Sequence, residues 1–269
     1  MIFKSVILFL PLAFASAVHA APAPRVPTGK WNVDFADAQC IAQREYGTPE
    51  RPLKLLLKAP PTGDVMQVAA VRTAAPTSAE QVESTVTIDG GQPLKTDLLM
   101  YSPKGSKNRV YLLNMSSAEF ASVRHARTFS VRSSGLNETF ALSQMEPLLK
   151  VMDQCVADLR RVFNIGASGS EPVALQSRAM ANITSFFSDQ DYPTVALVNG
   201  ESGRVRFALL ITEEGRVADC TIVETSGVPS LDSQACAVLK ARGKFEPARG
   251  TDGKPAKDSA IGSIVWRLP

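Results

Sequence analysis

Few residues of this chain are of a type that supports covalent catalysis. It contains two histidines, His19 and His125, and His19 falls in an apolar leader. His125 lies between Arg124 and Arg127 in the sequence, so we expect it on a solvated surface helix. A Ser-His-Asp hydrolase would need this histidine as its base, yet no Gly-x-Ser-x-Gly sequence accompanies it. The residue types therefore argue against such a hydrolase.

The sequence also lacks the motifs of metal-binding and phosphate-binding sites. A metal site needs several His, Cys or carboxylate ligands close together, whereas Asp189 and Asp191 form an isolated pair. No Gly-x-x-x-x-Gly-Lys-Ser/Thr phosphate loop occurs. We therefore expect no cofactor, no metal ion and no enzymatic activity. An enzyme seated in the N-terminal half is the third and weakest of three hypotheses about function.

The other reactive side chains are four cysteines, Cys40, Cys155, Cys220 and Cys236. No Cys-x-x-Cys spacing occurs, which argues against a zinc ribbon or a thioredoxin-type redox site. An even number in an exported chain indicates disulfides, and four cysteines allow three pairings. Cys220 falls on an expected strand and Cys236 on the helix expected to cover it. We therefore predict the pairs Cys220–Cys236 and Cys40–Cys155.

Export is indicated by the first twenty residues. Lys4 precedes an apolar run over residues 6–18, and Val18, His19 and Ala20 form an Ala-x-Ala-like cleavage site. We predict a signal peptide over residues 1–20, cleaved after Ala20, and a periplasmic mature chain. The apolar run is shorter than the roughly 18–20 residues that span a bilayer. An uncleaved membrane anchor is the alternative.

Composition limits the fold and the partners. The chain has 269 residues, a formal net charge of +3 and 20% charged residues. This mildly basic balance predicts no nucleic-acid partner. Removing the leader leaves about 250 residues, which is room for two ordinary domains. The Gly- and Ser-rich residues 166–177 are the expected linker between them.

The pattern of residues 26–165 predicts a β-rich domain closed by one long helix. Trp31, Val33 and Phe35 alternate with polar residues and predict a first strand, followed by a short helical turn at residues 40–44. Further strands are expected at residues 53–58, 64–72, 81–88, 97–101, 109–115 and 128–132. A short helix is expected up to residue 125, with Ser116 or Ser117 as its N-cap. The long helix is expected at residues 144–163.

The pattern of residues 178–269 predicts a second domain, in which a hairpin is followed by a helix and a last strand. Apolar residues alternate from Val205 to Ile211, Gly215 supplies a turn, and Ala218, Cys220 and Ile222 alternate in the second strand. The helix follows, with Ser230 as its expected N-cap and with four apolar positions at helical spacing: Leu231, Ala235, Val238 and Leu239. The last strand is expected at residues 261–268, and a short helical stretch at residues 180–187 is expected to precede the hairpin.

The literal residues of this second domain occur in the order seen in a known family. The series runs through Tyr192-Pro193, Gly203-Arg204-Val205, Gly215-Arg216-Val217, Phe245-Glu246-Pro247-Ala248, Gly253-Lys254-Pro255 and Trp266. Over about residues 185–269 the chain resembles the C-terminal domain of TonB, the periplasmic energy transducer. The fold class expected for the whole chain is thus α+β, with two domains. The second would be a TonB-like β-β-α-β domain with a three-stranded antiparallel sheet.

The resemblance also implies a binding site. In the family, the C-terminal strand pairs with a short segment of an outer-membrane receptor, the TonB box. By position, the strand residues implied here are Ile261, Ser263, Val265 and Arg267. The segment before the hairpin adds Asp189 and Tyr192. TonB has a Gln three residues before the Tyr, where this chain has Asp189. This departure bears on the choice of receptor.

Two non-enzymatic functions therefore compete. In the first, an exported TonB-like protein binds a strand of a TonB-dependent outer-membrane receptor in energy transduction. In the second, the protein is a periplasmic adaptor or envelope scaffold without energy transduction. TonB couples to an inner-membrane motor through a Ser and a His four apart, whereas Ser16 and His19 are three apart and precede the cleavage site. We therefore expect no coupling to that motor.

Overall fold

A computed structural model describes residues 23–62, 65–103, 105–166 and 175–268 of the chain. The predicted signal peptide and most of the predicted linker lie outside these ranges. Within them, no helix combines the length and the apolar character needed to cross a membrane.

The first half forms a nine-stranded antiparallel sheet with the strand order β1-β2-β3-β4-β7-β6-β5-β8-β9. The strands are β1 (Asn32–Ala36), β2 (Gln39–Glu45), β3 (Leu53–Ala59), β4 (Val65–Thr73), β5 (Glu80–Ile88), β6 (Leu94–Tyr101), β7 (Asn108–Ser116), β8 (Thr128–Ser133) and β9 (Leu136–Ala141). Strand β2 replaces the helical turn predicted at residues 40–44. That prediction is wrong because Cys40, Ala42 and Arg44 are buried with a period of two, between strands on both sides.

The sheet curls so that the segment ahead of its first strand meets its last strand. Arg25, ahead of β1, exchanges backbone hydrogen bonds with Thr139 and Ala141 around β9. The buried Arg44 guanidinium donates to the Gly29 and Ser143 carbonyls across the same seam, at 2.8 and 3.0 Å. This curl encloses one apolar core, which includes Leu55, Leu98, Tyr111, Phe129 and Phe140. Arg44 thus has a structural role, since it links the segment before β1 to the segment after β9.

Two helices close this half. Helix α1 (Ser117–Ala121) is capped by Ser116, whose hydroxyl accepts from the Glu119 N–H while the Glu119 carboxylate accepts from the Ser116 N–H. A 3₁₀ turn (Ser122–His125) follows it. Helix α2 (Met145–Val162) is the predicted long helix, and its buried side includes Leu148, Met152 and Leu159. The disulfide Cys40–Cys155 joins α2 to β2.

The second half is built on a three-stranded antiparallel sheet with the order β11-β10-β14. Its elements are α3 (Thr194–Val198), β10 (Gly203–Ile211), β11 (Val217–Glu224), α4 (Pro229–Arg242), the two-residue strands β12 (Ala248–Arg249) and β13 (Pro255–Ala256), and β14 (Asp258–Trp266). The turn between β10 and β11 needs Gly215, which has a φ of 75°. A Cβ there would lie 2.0 Å from the Phe245 carbonyl oxygen.

The core of this half lies between the sheet and α4. Val205, Phe207, Leu209 and Ile211 point to this side, as their alternation predicted, and Trp266 and Phe245 are buried with them. The disulfide Cys220–Cys236 joins β11 to α4. Both disulfides are thus the predicted pairs.

Several element boundaries differ from the predictions. Helix α4 begins at Pro229, and the expected cap Ser230 lies inside the helix with its hydroxyl buried. Only a 3₁₀ turn (Ile183–Phe186) forms in the stretch predicted as helical at residues 180–187. The last strand begins three residues before the predicted one because Asp258 already pairs with Ile211. Strand β9 was not predicted, since polar Asn137, Glu138 and Thr139 occupy its centre.

The two halves pack against each other through the sheet face opposite α4. Leu210 of β10 is buried against the Cys40–Cys155 disulfide, Phe163 and Ile165. Ala218 packs here rather than beside Cys220, because a bulge shifts the β10–β11 register at this position.

A polar cluster lies beside this apolar contact. Asp219 is 2% exposed. Its carboxylate accepts from the Gln39 amide at 3.0 Å and pairs with Lys58 at 2.9 Å. Lys240 of α4 lies 3.6 Å from the same carboxylate. The aspartate of the second half is therefore held by side chains of the first.

Candidate functional site

Strand β14 forms one edge of the C-terminal sheet. It pairs with β10 along its whole length, from Asp258 opposite Ile211 to Trp266 opposite Gly203. On its other side, the described part of the chain supplies no strand. An edge strand of this kind has main-chain donors and acceptors that another chain can engage.

The hydrogen-bond pattern shows which β14 residues face outward. The Thr212 N–H donates to the Arg216 carbonyl, so even-numbered residues of β10 bond towards β11 and odd-numbered ones towards β14. The register then turns even-numbered β14 residues inward and odd-numbered ones outward. Ser259 agrees, because its N–H donates to the Asp258 carboxylate at 2.7 Å. Ile261, Ser263 and Val265 follow with the same outward orientation.

The first outward residue of this edge is already engaged. The Arg178 guanidinium donates to the Ser259 carbonyl at 2.7 Å and to the Asp258 carboxylate at 2.8 Å. The same buried carboxylate also accepts from the Ala179 N–H at 2.8 Å. We name Arg178, Ala179, Asp258 and Ser259 the closed end. The open edge consists of the three outward residues Ile261, Ser263 and Val265.

The open edge is both apolar and accessible. Ile261 is 51% exposed and Val265 41% exposed, on the sheet face that α4 does not cover. On the opposite face, Gly262 allows close packing, since a Cβ there would lie 2.8 Å from both Ile183 and Phe207. The strand thus packs into the core with the face that α4 covers, and its other face is exposed.

Aromatic rings hold the other end of β14. Phe187 and Tyr192 both meet the Trp266 ring edge-on, with centroids 5.6 and 5.5 Å away. Asp189 is exposed in the segment between these two rings, and Arg267 is exposed beyond the strand. Tyr192 donates its hydroxyl proton to the Glu201 carbonyl. Its placement fits a structural contact to Trp266 as well as a role at the edge.

The second carboxylate of the pair noted in the sequence belongs to this scaffold. Asp191 forms an ion pair with Arg242 at the end of α4 and accepts from the Ser188 N–H at 2.7 Å. Burial opposes ionisation of this carboxyl, but the hydrogen bonds from Arg242 and Ser188 outweigh it and lower its pKa. Asp191 therefore attaches the segment containing Tyr192 to α4.

In the described residues, the side chains that could bind a metal ion or act as a catalytic base are not grouped in one site. In the ranges that the structure describes, no three His, Cys, Asp or Glu side chains are grouped as metal ligands. His125 is exposed, and its Nδ1 lies 3.5 Å from the Glu146 carboxylate.

The structure brings three of the six predicted partner-binding residues together on the open edge. These are Ile261, Ser263 and Val265, while Asp189, Tyr192 and Arg267 lie around or beyond the Trp266 end. Sequence reasoning missed the closed end, because Arg178 and Asp258 are far apart in the chain. It also passed over Arg204 and Arg206, although their alternation with Val205 and Phe207 placed them on the outer sheet face.

A small sheet with a helix on one face and an accessible edge strand is the geometry of domains that bind an extended peptide by strand addition. A family model described as Gram-negative bacterial TonB protein C-terminal matches residues 188–268. The match confirms the resemblance of this segment to the TonB C-terminal domain and indicates an envelope protein similar to TonB. A search of curated proteins finds no significant match to the chain.

Proposed function

We propose that this chain is an exported, non-enzymatic protein of the Gram-negative envelope whose open edge binds an extended strand of a partner. The observation that carries the proposal is the outward orientation of Ile261, Ser263 and Val265 on a strand whose outer side has no partner strand in the described residues. A TonB-dependent outer-membrane receptor is the partner class that the family match supports. Its role would be in energy transduction and transmembrane transport.

Main-chain hydrogen bonds would supply most of the affinity. Three outward residues offer three N–H and three C=O groups, and each bond contributes about 0.5–1.5 kcal/mol net. Association entropy offsets part of this sum, so we expect a dissociation constant in the micromolar range or weaker. Such binding is reversible and suits a transient contact.

The proposed compartment is the periplasm, with the leader removed after Ala20. Two disulfides support an oxidising compartment, since they join all four cysteines of the sequence. Sequencing the N-terminus of the mature protein tests this proposal. A chain that retains residues 1–20 in a membrane fraction would instead be an anchored protein.

A periplasmic adaptor without energy transduction is the second candidate. It is favoured by the packing of the N-terminal half against the sheet of the TonB-like domain, through Leu210 and Asp219. An adaptor would use the same edge to hold another envelope protein in place. The two candidates therefore share a site and differ in the partner.

Crosslinking in cells distinguishes them. A photo-reactive residue at Ser263 should give an adduct with a TonB-dependent receptor, whereas the same residue at exposed Ser117 on α1 should not. An adduct with a different envelope protein at Ser263 would favour the adaptor. Equal adduct patterns at Ser263 and Ser117 would contradict binding at this edge.

A further inference from the structure

The outer sheet face beside the open edge is cationic. Arg204 and Arg206 of β10 are exposed and lie directly opposite Val265 and Ser263 of β14. Arg267 is exposed beyond the end of the strand. Within the described ranges, none of these three guanidinium groups has a hydrogen bond or ion pair to another side chain. Cations without an ion pair beside an open strand edge point to an anionic partner.

A carboxylate lies beside Arg206 but forms no ion pair with it. Glu224 of β11 is opposite Arg206 on the side away from β14, at an irregularity in the strand register. It is exposed and forms no ion pair with Arg206. The positive charge is therefore available on the side where a partner strand would add.

The strand spacing allows a direct contact between these arginines and a docked strand. A strand added to β14 lies two strand spacings, about 10 Å, from β10. The residue opposite Ser263 would share a face with Arg206, and only the small Ser263 side chain stands between them. An extended guanidinium and a glutamate side chain together bridge such a gap. The neighbouring Ile261 and Val265 offer apolar contacts to the methylene groups of these two side chains.

We propose that the open edge selects an extended segment whose outer-face side chains are carboxylates, bound by Arg204 and Arg206. The docked strand stops at the closed end, because Arg178 and Asp258 already engage Ser259. Only about three outward main-chain positions are available, so charge on a short segment contributes a large share of the selectivity. This inference rests on the proposed strand docking at β14.

Fluorescence anisotropy with three labelled peptides tests the charge preference on the full mature chain. The peptides alternate Glu and Thr, Gln and Thr, or Lys and Thr over eight residues, so all charges fall on one strand face. We expect the Glu peptide to bind roughly tenfold more tightly than the Gln peptide, as for two exposed ion pairs. The Lys peptide should bind most weakly, and added salt should reduce the difference.

A double variant, Arg204→Gln with Arg206→Gln, should make the Glu and Gln peptides bind alike and leave the Gln peptide unaffected. Arg132→Gln, on the exposed side of β8, removes charge elsewhere and should preserve the preference. A preference for Glu that survives the double variant would overturn the proposed reading by these arginines.

Backbone-blocked peptides separate this inference from the docking itself. Two further Glu-Thr peptides carry N-methyl groups on every Glu or on every Thr, and one of them must lose binding if a strand docks. Equal affinity for Glu and Gln peptides, with loss on N-methylation, would overturn the charge preference and leave the docking intact. Binding that survives both N-methylated forms, or no binding of any peptide, would overturn both. If light scattering shows a dimer that persists when peptide is added, the edge binds a second copy of the chain. That result would also overturn both the docking and the charge preference.

Discussion

Trp266 anchors the edge strand from within. Its ring is 5% exposed and lies between the rings of Phe187 and Tyr192. We predict that Trp266→Ala lowers the free energy of unfolding by about 3–5 kcal/mol, because it leaves a cavity in the core. Val265→Ala, one position earlier on the outer face, should change it by less than about 1 kcal/mol. Chemical denaturation of both variants measures this, and similar effects would mean that the strand faces are assigned wrongly.

Tyr46, at the seam of the curled sheet, makes the stability of the fold depend on pH. Its ring packs edge-on against Phe140, and its hydroxyl donates to the Ala141 carbonyl at 3.1 Å. Burial raises the pKa of this phenol to about 12, although Arg44 opposes the shift. The raised pKa means that the folded state favours the neutral phenol.

The stability from Tyr46 is complete below pH 10 and is lost as the pH rises from about 10 to 12. Two pKa units correspond to about 2–3 kcal/mol. We predict that, over that range, the unfolding free energy falls by about this amount more in the wild-type protein than in Tyr46→Phe. For each protein the fall is measured from its own unfolding free energy below pH 10, and it should be smaller in Tyr46→Phe. Parallel pH curves for the two proteins would show that Tyr46 ionises without penalty.

At the scale of elements, the two faces and two sides of β14 have separate tasks. Its even-numbered N–H groups bond to β10, and those of Ile261, Ser263 and Val265 are free to bind. Ser263→Pro should leave the domain folded and weaken peptide binding about tenfold or more, whereas Ser263→Ala should weaken it little. Ile264→Pro should unfold the domain, because it removes an inward N–H. Circular dichroism and peptide titration check this, and a folded Ile264→Pro protein would contradict the assigned alternation.

The elements that sequence predicted well are those with long, regular periods. Helix α2 and strand β10 were found because their buried positions recur at fixed spacing over nine or more residues. Residues 40–44 were assigned wrongly because five residues do not separate a helical turn from a strand. Strand β9 was missed because its central residues are polar, and its neighbours β8 and Arg25 determine its place.

The candidate site was predictable only in part. The residue pattern predicted the last strand within three residues of its observed start, and the resemblance to a family implied the partner-binding residues on it. The closed end depends on Arg178 and Asp258, which are 80 residues apart and give no local signal. Likewise, the burial of Asp219 depends on Lys58 and Gln39 from the other half of the chain. Such long-range contacts have no counterpart in periodicity or composition.

For the molecule as a whole, the buried Asp219 cluster ties the two halves into one unit. Lys58→Met removes its closest cation and leaves the carboxylate with Gln39 and Lys240. We predict a loss of about 1–3 kcal/mol, since a buried charge is costly when its partner is removed. Lys54→Met, on the same strand, breaks only the exposed pair with Glu45 and should cost under about 1 kcal/mol.

Denaturant titration of these two lysine variants measures the difference. We expect Lys58→Met to separate unfolding into two transitions, one for each half, while Lys54→Met retains the wild-type profile. An unchanged profile in Lys58→Met would mean that the apolar contact around Leu210 alone joins the halves.

The order of the cysteines has a consequence for biogenesis. Along the chain, the first cysteine pairs with the second, Cys40–Cys155, and the third with the fourth, Cys220–Cys236. A chain that emerges from a translocation pore N-terminus first presents its thiols in this same order. An oxidase that joins each new thiol to the preceding unpaired one therefore produces the native connectivity directly. Maturation of this protein should then depend on a thiol oxidase and proceed without a disulfide isomerase.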